Sequence, residues 1–282
     1  MNWNSAKNFA IIFFIMLNAF LGGLTANEAN RFNISEAQAK NISEVLYKNG
    51  IALNAAAPRS YRPVRLLTLS EYDYDMDGLL AIFFPDPDEV EYAKEQDRAV
   101  YRAGHVTLSV QNGYVLYENP RGGEPIVFEK DEAEALCAGL IEKTGLTGFA
   151  LDGFEFDEYD RAFRFIYRQL YGGKTVYSNY FDFVVTDYGI TQAEFIYGKP
   201  LGFNGAETEV YASDVALLSF MKRIAGYYGS MERHIDIYKI EMVFIRENDY
   251  STAAAPYYRI FYEKNGEAFE ELISAYNAHD YL

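Results

Sequence analysis

Residues 162–197 read AFRFIYRQLYGGKTVYSNYFDFVVTDYGITQAEFIY, and this stretch decides the fold class of the chain. Aromatic and β-branched side chains dominate its three apolar runs, and such side chains favour the pleated surface of a β-sheet. The glycine pair and the Asp-Tyr-Gly triplet between the runs are typical of tight turns. We therefore predict consecutive strands at Ala162–Tyr171, Thr175–Thr186 and Ile190–Tyr197, preceded by a short strand at Phe154–Phe156.

A predicted helix precedes these strands, and the same order returns further along the chain. The first helix covers Asp131–Lys143 and ends at Gly145, and the second covers Ala212–Tyr227 with Gly229 after it. The second helix is followed by predicted strands at Ile235–Arg246, Tyr257–Glu263 and Ala268–Tyr276, with Asn265-Gly266 as a tight turn. This order indicates an α+β fold of repeated units, in each of which one helix packs on an antiparallel β-sheet.

The chain before residue 131 contains similar elements in a looser arrangement. An amphipathic helix is predicted at Ser35–Lys48, and Asn112-Gly113 is a strong signal for a β-hairpin. Residues 85–103 are charged and carry two prolines, which favours a surface loop with a short helix. Further strands are predicted at Ile51–Leu53, Val64–Leu69, Leu79–Phe84, His105–Val110 and Tyr114–Glu118. The predicted domains are an N-terminal α+β region, residues 28–130, and a C-terminal region of two helix-plus-meander units, residues 131–282.

Residues 8–27 carry no charge and are bracketed by Lys7 and Glu28. A helix of this length rises about 30 Å, the thickness of a bilayer core. The positive charges before it predict a cytoplasmic N-terminus at residues 1–7 and an extracellular location for everything after residue 27. We therefore expect a transmembrane helix over residues 8–27, with Trp3 as an anchor at the membrane interface. A cleaved signal peptide is the alternative.

One face of this predicted helix is a candidate partner contact. Ala19 and Gly23 form a pair of small residues at the spacing that lets two helices approach closely, and Asn18 and Gly22 lie beside them. An amide between close helices can form a hydrogen bond to the neighbour. The alternative is that the glycines loosen the end of the helix and that Asn18 bonds its own backbone.

The charge balance excludes several classes of partner. Asp and Glu number 41 against 25 Lys and Arg, which gives a net charge of −16. Such a chain repels nucleic acid and anionic lipid headgroups, so we expect no nucleic-acid partner. Cys137 is the only cysteine, which excludes an intramolecular disulfide and a cysteine metal cluster. Its place in an apolar pattern predicts a small buried side chain.

The histidines and acidic residues form no complete metal-binding or nucleophile motif. None of His105, His234 and His279 has a second histidine at metal spacing or belongs to a nucleophile motif. The segment from Asp73 to Gly78 resembles the first half of a calcium loop. However, Phe84 stands where that loop needs a bidentate glutamate. We therefore predict no metal site and no cofactor.

An acidic cluster lies near the predicted turn at Asp152-Gly153 and comprises Asp152, Glu155, Asp157, Glu158 and Asp160. Paired carboxylates perform glycoside hydrolysis, but only when they oppose each other in a cleft. The cluster is interpreted as a solvated turn, with an extracellular hydrolase as one alternative. No catalytic residue is predicted, and we expect a binding or regulatory protein rather than an enzyme.

Several short segments resemble the YycI (WalI) family along nearly the whole chain. The N-terminal matches are Met1-Asn2-Trp3 and the apolar run from Ile11 to Leu21. Downstream matches are Leu46-Tyr47-Lys48-Asn49-Gly50-Ile51, the hairpin from Tyr171 to Asn179, Ala255-Pro256-Tyr257-Tyr258-Arg259-Ile260 and Ile273-Ser274-Ala275-Tyr276. Trp3 and Asn18 match the membrane segment of that family.

The resemblance implies a single-pass cell-membrane protein that, with a YycH-like sibling, regulates a WalK-like sensor histidine kinase controlling cell-wall metabolism. Contacts would run through the transmembrane helices and the outer domains, and the family has no catalytic residues. A secreted helix-on-sheet binding or protease-inhibitor module is the alternative function. Activation or restraint of the kinase, and homo- or hetero-oligomerisation, remain open at this level.

Overall fold

The computed structural model of the chain describes residues 7, 11–22, 31–72, 74–228, 234–248 and 251–276. Residues 11–22 form an N-terminal helical segment. The later helices are α1 (Glu36–Lys48), α2 (Met76–Phe83), α3 (Lys130–Lys143) and α4 (Ser213–Tyr228), with a 3-10 turn at Pro87–Glu89. The strands are β1 (Ile51–Leu53), β2 (Val64–Leu69), β3 (Glu91–Glu95), β4 (Arg98–Ala103), β5 (Val106–Gln111), β6 (Tyr114–Glu118), β7 (Phe149–Asp157), β8 (Ala162–Tyr171), β9 (Lys174–Thr186), β10 (Gly189–Ile196), β11 (Pro200–Thr208), β12 (Ile235–Arg246), β13 (Ala253–Lys264) and β14 (Glu267–Ser274).

The strands form one large mixed sheet, and this corrects the predicted α+β class of repeated units, each with its own antiparallel sheet. Fourteen strands are connected by hydrogen bonds, along the path β11-β2-β13-β12-β9-β10-β6-β5-β4-β3 with side pairings. Strand β12 is parallel to both β1 and β9. These parallel pairings join segments that are far apart in the sequence, so a local strand pattern could not reveal them. The protein is therefore a mixed α/β protein.

The predicted transmembrane helix over residues 8–27 is also corrected. Among the described residues, no helix is both long enough and apolar enough to cross a membrane.

The chain divides into two compact units. Unit 1 takes its described residues from Met1–Val64, Thr208–Glu241 and Tyr258–Leu282, and unit 2 from Arg65–Glu207 and Met242–Tyr257. Strands β12 and β13 each contribute residues to both units.

Unit 2 contains a long antiparallel run in the strand order β7-β8-β9-β10-β6-β5-β4-β3. Helices α2 and α3 pack on one face of this run, where their buried side chains include Leu79, Phe83, Cys137 and Ile141. The sheet contributes four phenylalanines that are fully buried, namely Phe165, Phe181, Phe183 and Phe195. Each such side chain contributes about 1.5–3 kcal/mol on burial, so this face is the main core of unit 2.

Unit 1 has helices α1 and α4 and the strands β1, β12, β13 and β14. Its core includes Leu46 of α1, Phe220 of α4 and Tyr258 of β13, all fully buried. The Tyr258 hydroxyl donates a hydrogen bond of 2.7 Å to the Tyr211 carbonyl, which satisfies its one polar group. Buried Arg259 is neutralised by Glu241 and Glu270, as a buried cation requires.

Local signals explain where several elements begin and turn. Ser35 and Gln38 form a complete capping box at the start of α1. Asn112 and Gly113, with φ of 49° and 78°, join β5 to β6, because a two-residue hairpin turn of this kind needs positive φ at both positions. The hairpin predicted at Asn112-Gly113 and the helix predicted at Asp131–Lys143 are confirmed.

Other local predictions were wrong. Leu79–Phe84 was expected to be a strand, but residues 76–83 form α2 because the Asp75 carboxylate accepts a hydrogen bond from the Gly78 N–H and caps the first turn. Residues 85–103 were expected to be a loop with a short helix, yet they contain β3 and β4 as well as the 3-10 turn.

Candidate interaction surfaces

The predicted partner-contact residues lie partly within the described chain. Asn18, Ala19 and Gly22 belong to the N-terminal helical segment, and all three are exposed. Gly23 and the predicted interface anchor Trp3 lie outside the described residues.

The same segment exposes large apolar side chains in every direction around the helix. Their exposed fractions run from 37% for Leu17 to 66% for Met16. The set comprises Ile11, Ile12, Phe13, Phe14, Ile15, Met16, Leu17, Phe20 and Leu21. Large exposed apolar patches mark interaction sites. A helix that is apolar on all sides is normally buried in the functional state of a protein. The segment is therefore the first candidate interaction surface.

A second candidate is the face of the unit 2 sheet opposite helices α2 and α3. Register places its side chains in rows that run across the strands. One row comprises Glu155, Arg164, Val184, Gln192, Glu118 and Thr107, and its neighbour comprises Gly153, Ile166, Asp182, Glu194, Leu116 and Ser109. Together with the third row, Ala150, Arg168, Tyr180, Ile196, Tyr114 and Gln111, they define the open face.

Polar groups on the open face are held in place by one another. The Arg164 guanidinium donates to both carboxylate oxygens of Asp182, with distances of 2.6–3.1 Å, and this contact raises the pKa of Arg164. The Tyr180 hydroxyl donates to Glu194 at 2.6 Å. Burial and this carboxylate neighbour raise the pKa of Tyr180, so the hydroxyl keeps its proton. The centre of the open face therefore presents an ordered array of charges.

Arg168 of β8 contacts residues of both neighbouring strands, β7 and β9. Its Nε lies 3.2 Å from the Asp152 carboxylate, and its guanidinium is 3.5 Å from the centre of the Tyr177 ring. It also donates to the Tyr177 carbonyl. Arg168 and Asp152 expose only 11% and 15% of their side chains, so this ion pair is structural.

A shallow cleft of about 520 Å³ opens at another end of the same face. It is lined by His105, Thr107, Glu118, Pro120, Thr186, Thr191 and Gln192. Hydroxyl, amide and carboxylate groups dominate this lining, and the Thr107 hydroxyl donates a long hydrogen bond of 3.4 Å to the Glu118 carboxylate.

Some residues of the acidic cluster have partners within the fold. Asp157 accepts hydrogen bonds from the N–H groups of Tyr159 and Asp160, so its carboxylate holds the turn between β7 and β8. Glu155 lies opposite Arg164 in the β7–β8 register. These carboxylates do not face each other across a cleft, which is the arrangement that glycoside hydrolysis needs.

Cys137 is fully buried in the core of unit 2, as predicted. Burial raises the pKa of its thiol, so the thiolate needed for nucleophilic or metal chemistry is disfavoured. Within the described ranges, no group of three or more His, Cys, Asp or Glu residues is arranged to hold a metal ion. Asp73, the first residue of the calcium-like segment, lies outside the described residues.

Comparisons with known proteins identify only the fold. No family model matches the chain, and no curated protein matches it. The chain is similar to the crystal structure of an uncharacterized protein from Eubacterium rectale, with a TM-score of 0.51 and 12% identity over 81% of this chain and 90% of that one.

A second similar structure is the YpeB C-terminal domain from Bacillus megaterium, with a TM-score of 0.42 and 8% identity over 74% of this chain and 95% of that one. At 12% identity, the first likeness supports a shared architecture and no shared activity. A shared architecture does not by itself imply a shared function.

Proposed function

We propose that the protein acts by protein–protein contact, as a regulator of a sensor histidine kinase at the cell membrane. The observation that carries this proposal is the N-terminal helical segment, residues 11–22, whose large apolar side chains are all exposed. An isolated helix of this kind gains most of its stability from a partner that covers it. The partner in this proposal is a WalK-like kinase or a YycH-like sibling of the present protein.

The resemblance of short segments to the YycI (WalI) family supports the choice of partner. The order of the open face also favours binding over chemistry, because Arg164 pairs with Asp182 and Arg168 pairs with Asp152, so these charges are held in fixed positions. With such a partner, the body of the chain works outside the cytoplasm. Contact at residues 11–22 does not require these residues to span the bilayer.

Co-purification of the full chain with a WalK-like kinase tests this function. Phe14→Glu places a charge on a side chain that is 61% exposed, and a buried charge without a partner is costly at an interface. We expect recovery of the kinase to fall about tenfold or more. Asn18→Leu removes the amide that would form a hydrogen bond to the partner in this proposal, which corresponds to a loss of about twofold to tenfold in recovery of the kinase.

Tyr159→Glu is the matched control, because Tyr159 is 95% exposed in the turn between β7 and β8. It should leave recovery of the kinase unchanged. Recovery that is undiminished in both Phe14→Glu and Asn18→Leu would show that residues 11–22 are not the contact. Circular dichroism of each variant separates loss of contact from loss of folding.

A further inference from the structure

Strand β7 lies at an edge of the unit 2 sheet. Among the described strands it pairs only with β8. The pairing is irregular between Leu151 and Gly153, but residues 153–157 then run in unbroken register with Ile166 to Ala162. The outer edge of residues 153–157 is therefore a regular row of backbone N–H and C=O groups that no described strand covers. Such a row is a template for one more strand.

The sequence of β7 lacks lysine and proline, two residues that commonly block an edge. It reads FALDGFEFD, and every charge in it is acidic. Natural edge strands are commonly protected by lysine, proline or bulges. The opposite edge of the same run, β3, carries Lys94 and pairs its Glu95 with Arg98 and Arg102 of β4. The two edges are thus built differently, and β7 is the one that remains open beyond its bulge.

One side of β7 is apolar, and the helices cover it only in part. Register puts Phe154 and Phe156 on the side of buried Phe165 and Phe163. Nevertheless, the two rings are 40% and 45% exposed. Helix α3 packs mainly on β8 and β10. Lys130 at its start lies 4.8 Å from the centre of the Phe154 ring, and Phe128 lies beside the Phe156 ring, yet both rings stay partly exposed. A strand added next to β7 would cover them with its own apolar side chains.

The other side of β7 is acidic. Glu155 and Asp157 lie on the open face, and Glu158 and Asp160 follow in the turn to β8; all four are exposed. A strand alternates its side chains between the two faces of a sheet. An added strand would therefore need apolar residues on one side and cations on the other.

We propose that the outer edge of β7 binds an extended segment of a partner protein, in which basic residues alternate with apolar or aromatic ones. Charge complementarity selects this occupant over a second copy of the chain. A copy would bring its own Glu155 and Asp157 to the same edge, and each chain carries a net charge of −16. Like charges on adjacent strands are destabilising. This site shares with the proposed function only the premise that the ligand is a protein, and it lies on a different unit from residues 11–22.

The test uses the full chain and a synthetic peptide as long as β7, which has 9 residues, with lysine alternating with tyrosine or valine. Binding is measured by calorimetry at low and high salt. We expect binding that weakens with salt, because exposed charges are screened. Phe156→Lys should weaken it about tenfold or more, since a lysine on the edge repels the peptide and removes its apolar contact. The double variant Glu155→Gln, Glu158→Gln should weaken it about twofold to fivefold and reduce the salt dependence.

Tyr92→Lys is the matched control, because Tyr92 is an exposed aromatic residue on the other edge strand, β3. It should bind the alternating peptide like the wild type. The Glu155 and Glu158 variant keeps the test valid if Phe156→Lys fails to fold, since Phe156 also packs 5.0 Å from the Phe163 ring.

Four results would each overturn the assignment. These are no binding by the wild type, equal binding of a peptide with its lysines grouped at one end, equal binding by both β7 variants, and self-association of the chain that Phe156→Lys abolishes. The last result would mean that a second copy occupies the edge. No kinase is present in these measurements, so failure of the contact at residues 11–22 leaves their outcome unaffected.

Discussion

The two faces of the unit 2 sheet differ in almost every respect, although they are made from alternate residues of the same strands. Phe181 and Phe183 of β9 are fully buried under the helices, while Asp182 between them points to the open face and pairs with Arg164. Phenylalanine rings stack on the covered face, with the centres of Phe181 and Phe195 at 4.7 Å. The covered face therefore carries most of the stability of unit 2, and changes on the open face should have little effect on folding.

The largest expected effect comes from removing a ring on the covered face. Phe181→Ala should lower the free energy of unfolding by about 3–5 kcal/mol, because it removes buried apolar surface and leaves a cavity. Urea denaturation measures this loss. Val184→Ala on the open face of the same strand is the control and should cost less. Equal losses in the two variants would contradict the division between the faces.

A smaller effect is expected from alkaline pH acting on the covered face. Burial raises the pKa of Tyr74, whose hydroxyl donates to the Gly113 carbonyl at 2.7 Å and accepts from the Tyr197 N–H. The folded protein therefore keeps this proton when the unfolded chain loses it above about pH 10. Stability is fully present below that pH and should fall above it by about 1.4 kcal/mol per pH unit for this group.

Urea denaturation between about pH 9 and pH 11 tests this dependence. Tyr74→Phe has no ionisable group at that position, so its stability should fall less steeply with pH than that of the wild type. If the two slopes are the same, Tyr74 is not the group that links stability to alkaline pH.

The smallest expected effect is on the open face itself. The pair Arg164–Asp182 has a well-aligned geometry, but 52% of the Arg164 side chain is exposed, so solvent screens it. A double-mutant cycle of Arg164→Ala and Asp182→Ala should give a coupling of about 0.2–1 kcal/mol. A coupling as large as the loss in Phe181→Ala would show that the open face also carries the stability of the fold.

Sequence patterns predicted the parts of the fold that depend on neighbouring residues. The glycine pair at residues 172 and 173 turns β8 into β9, and the alternation of Phe181, Phe183 and Val185 does mark a face over the core. Cys137 also lies where its apolar pattern placed it. In each case the deciding pattern lies within a single turn, strand or helix.

The parts that sequence patterns missed depend on distant partners or on a single cap. The run from Leu79 to Phe84 is apolar with no clear period, and the carboxylate of Asp75 decides in favour of a helix. Strand β11 was not anticipated, and β12 pairs in parallel with β1 and β9, both of which are far from it in the sequence. The rows of the open face follow from strand register, which no local pattern specifies across several strands.

The division of the chain between the units has a consequence for synthesis. Unit 2 begins at Arg65 but still lacks Met242–Tyr257 after residues 65–207 have been made. Unit 1 begins earlier and waits even longer, for Tyr258 and the residues that follow. Contacts that close such long loops form slowly, and domains made on the ribosome usually fold one after another. Here neither unit can finish before β12 and β13 emerge, so we expect both units to complete folding together once these strands have been made.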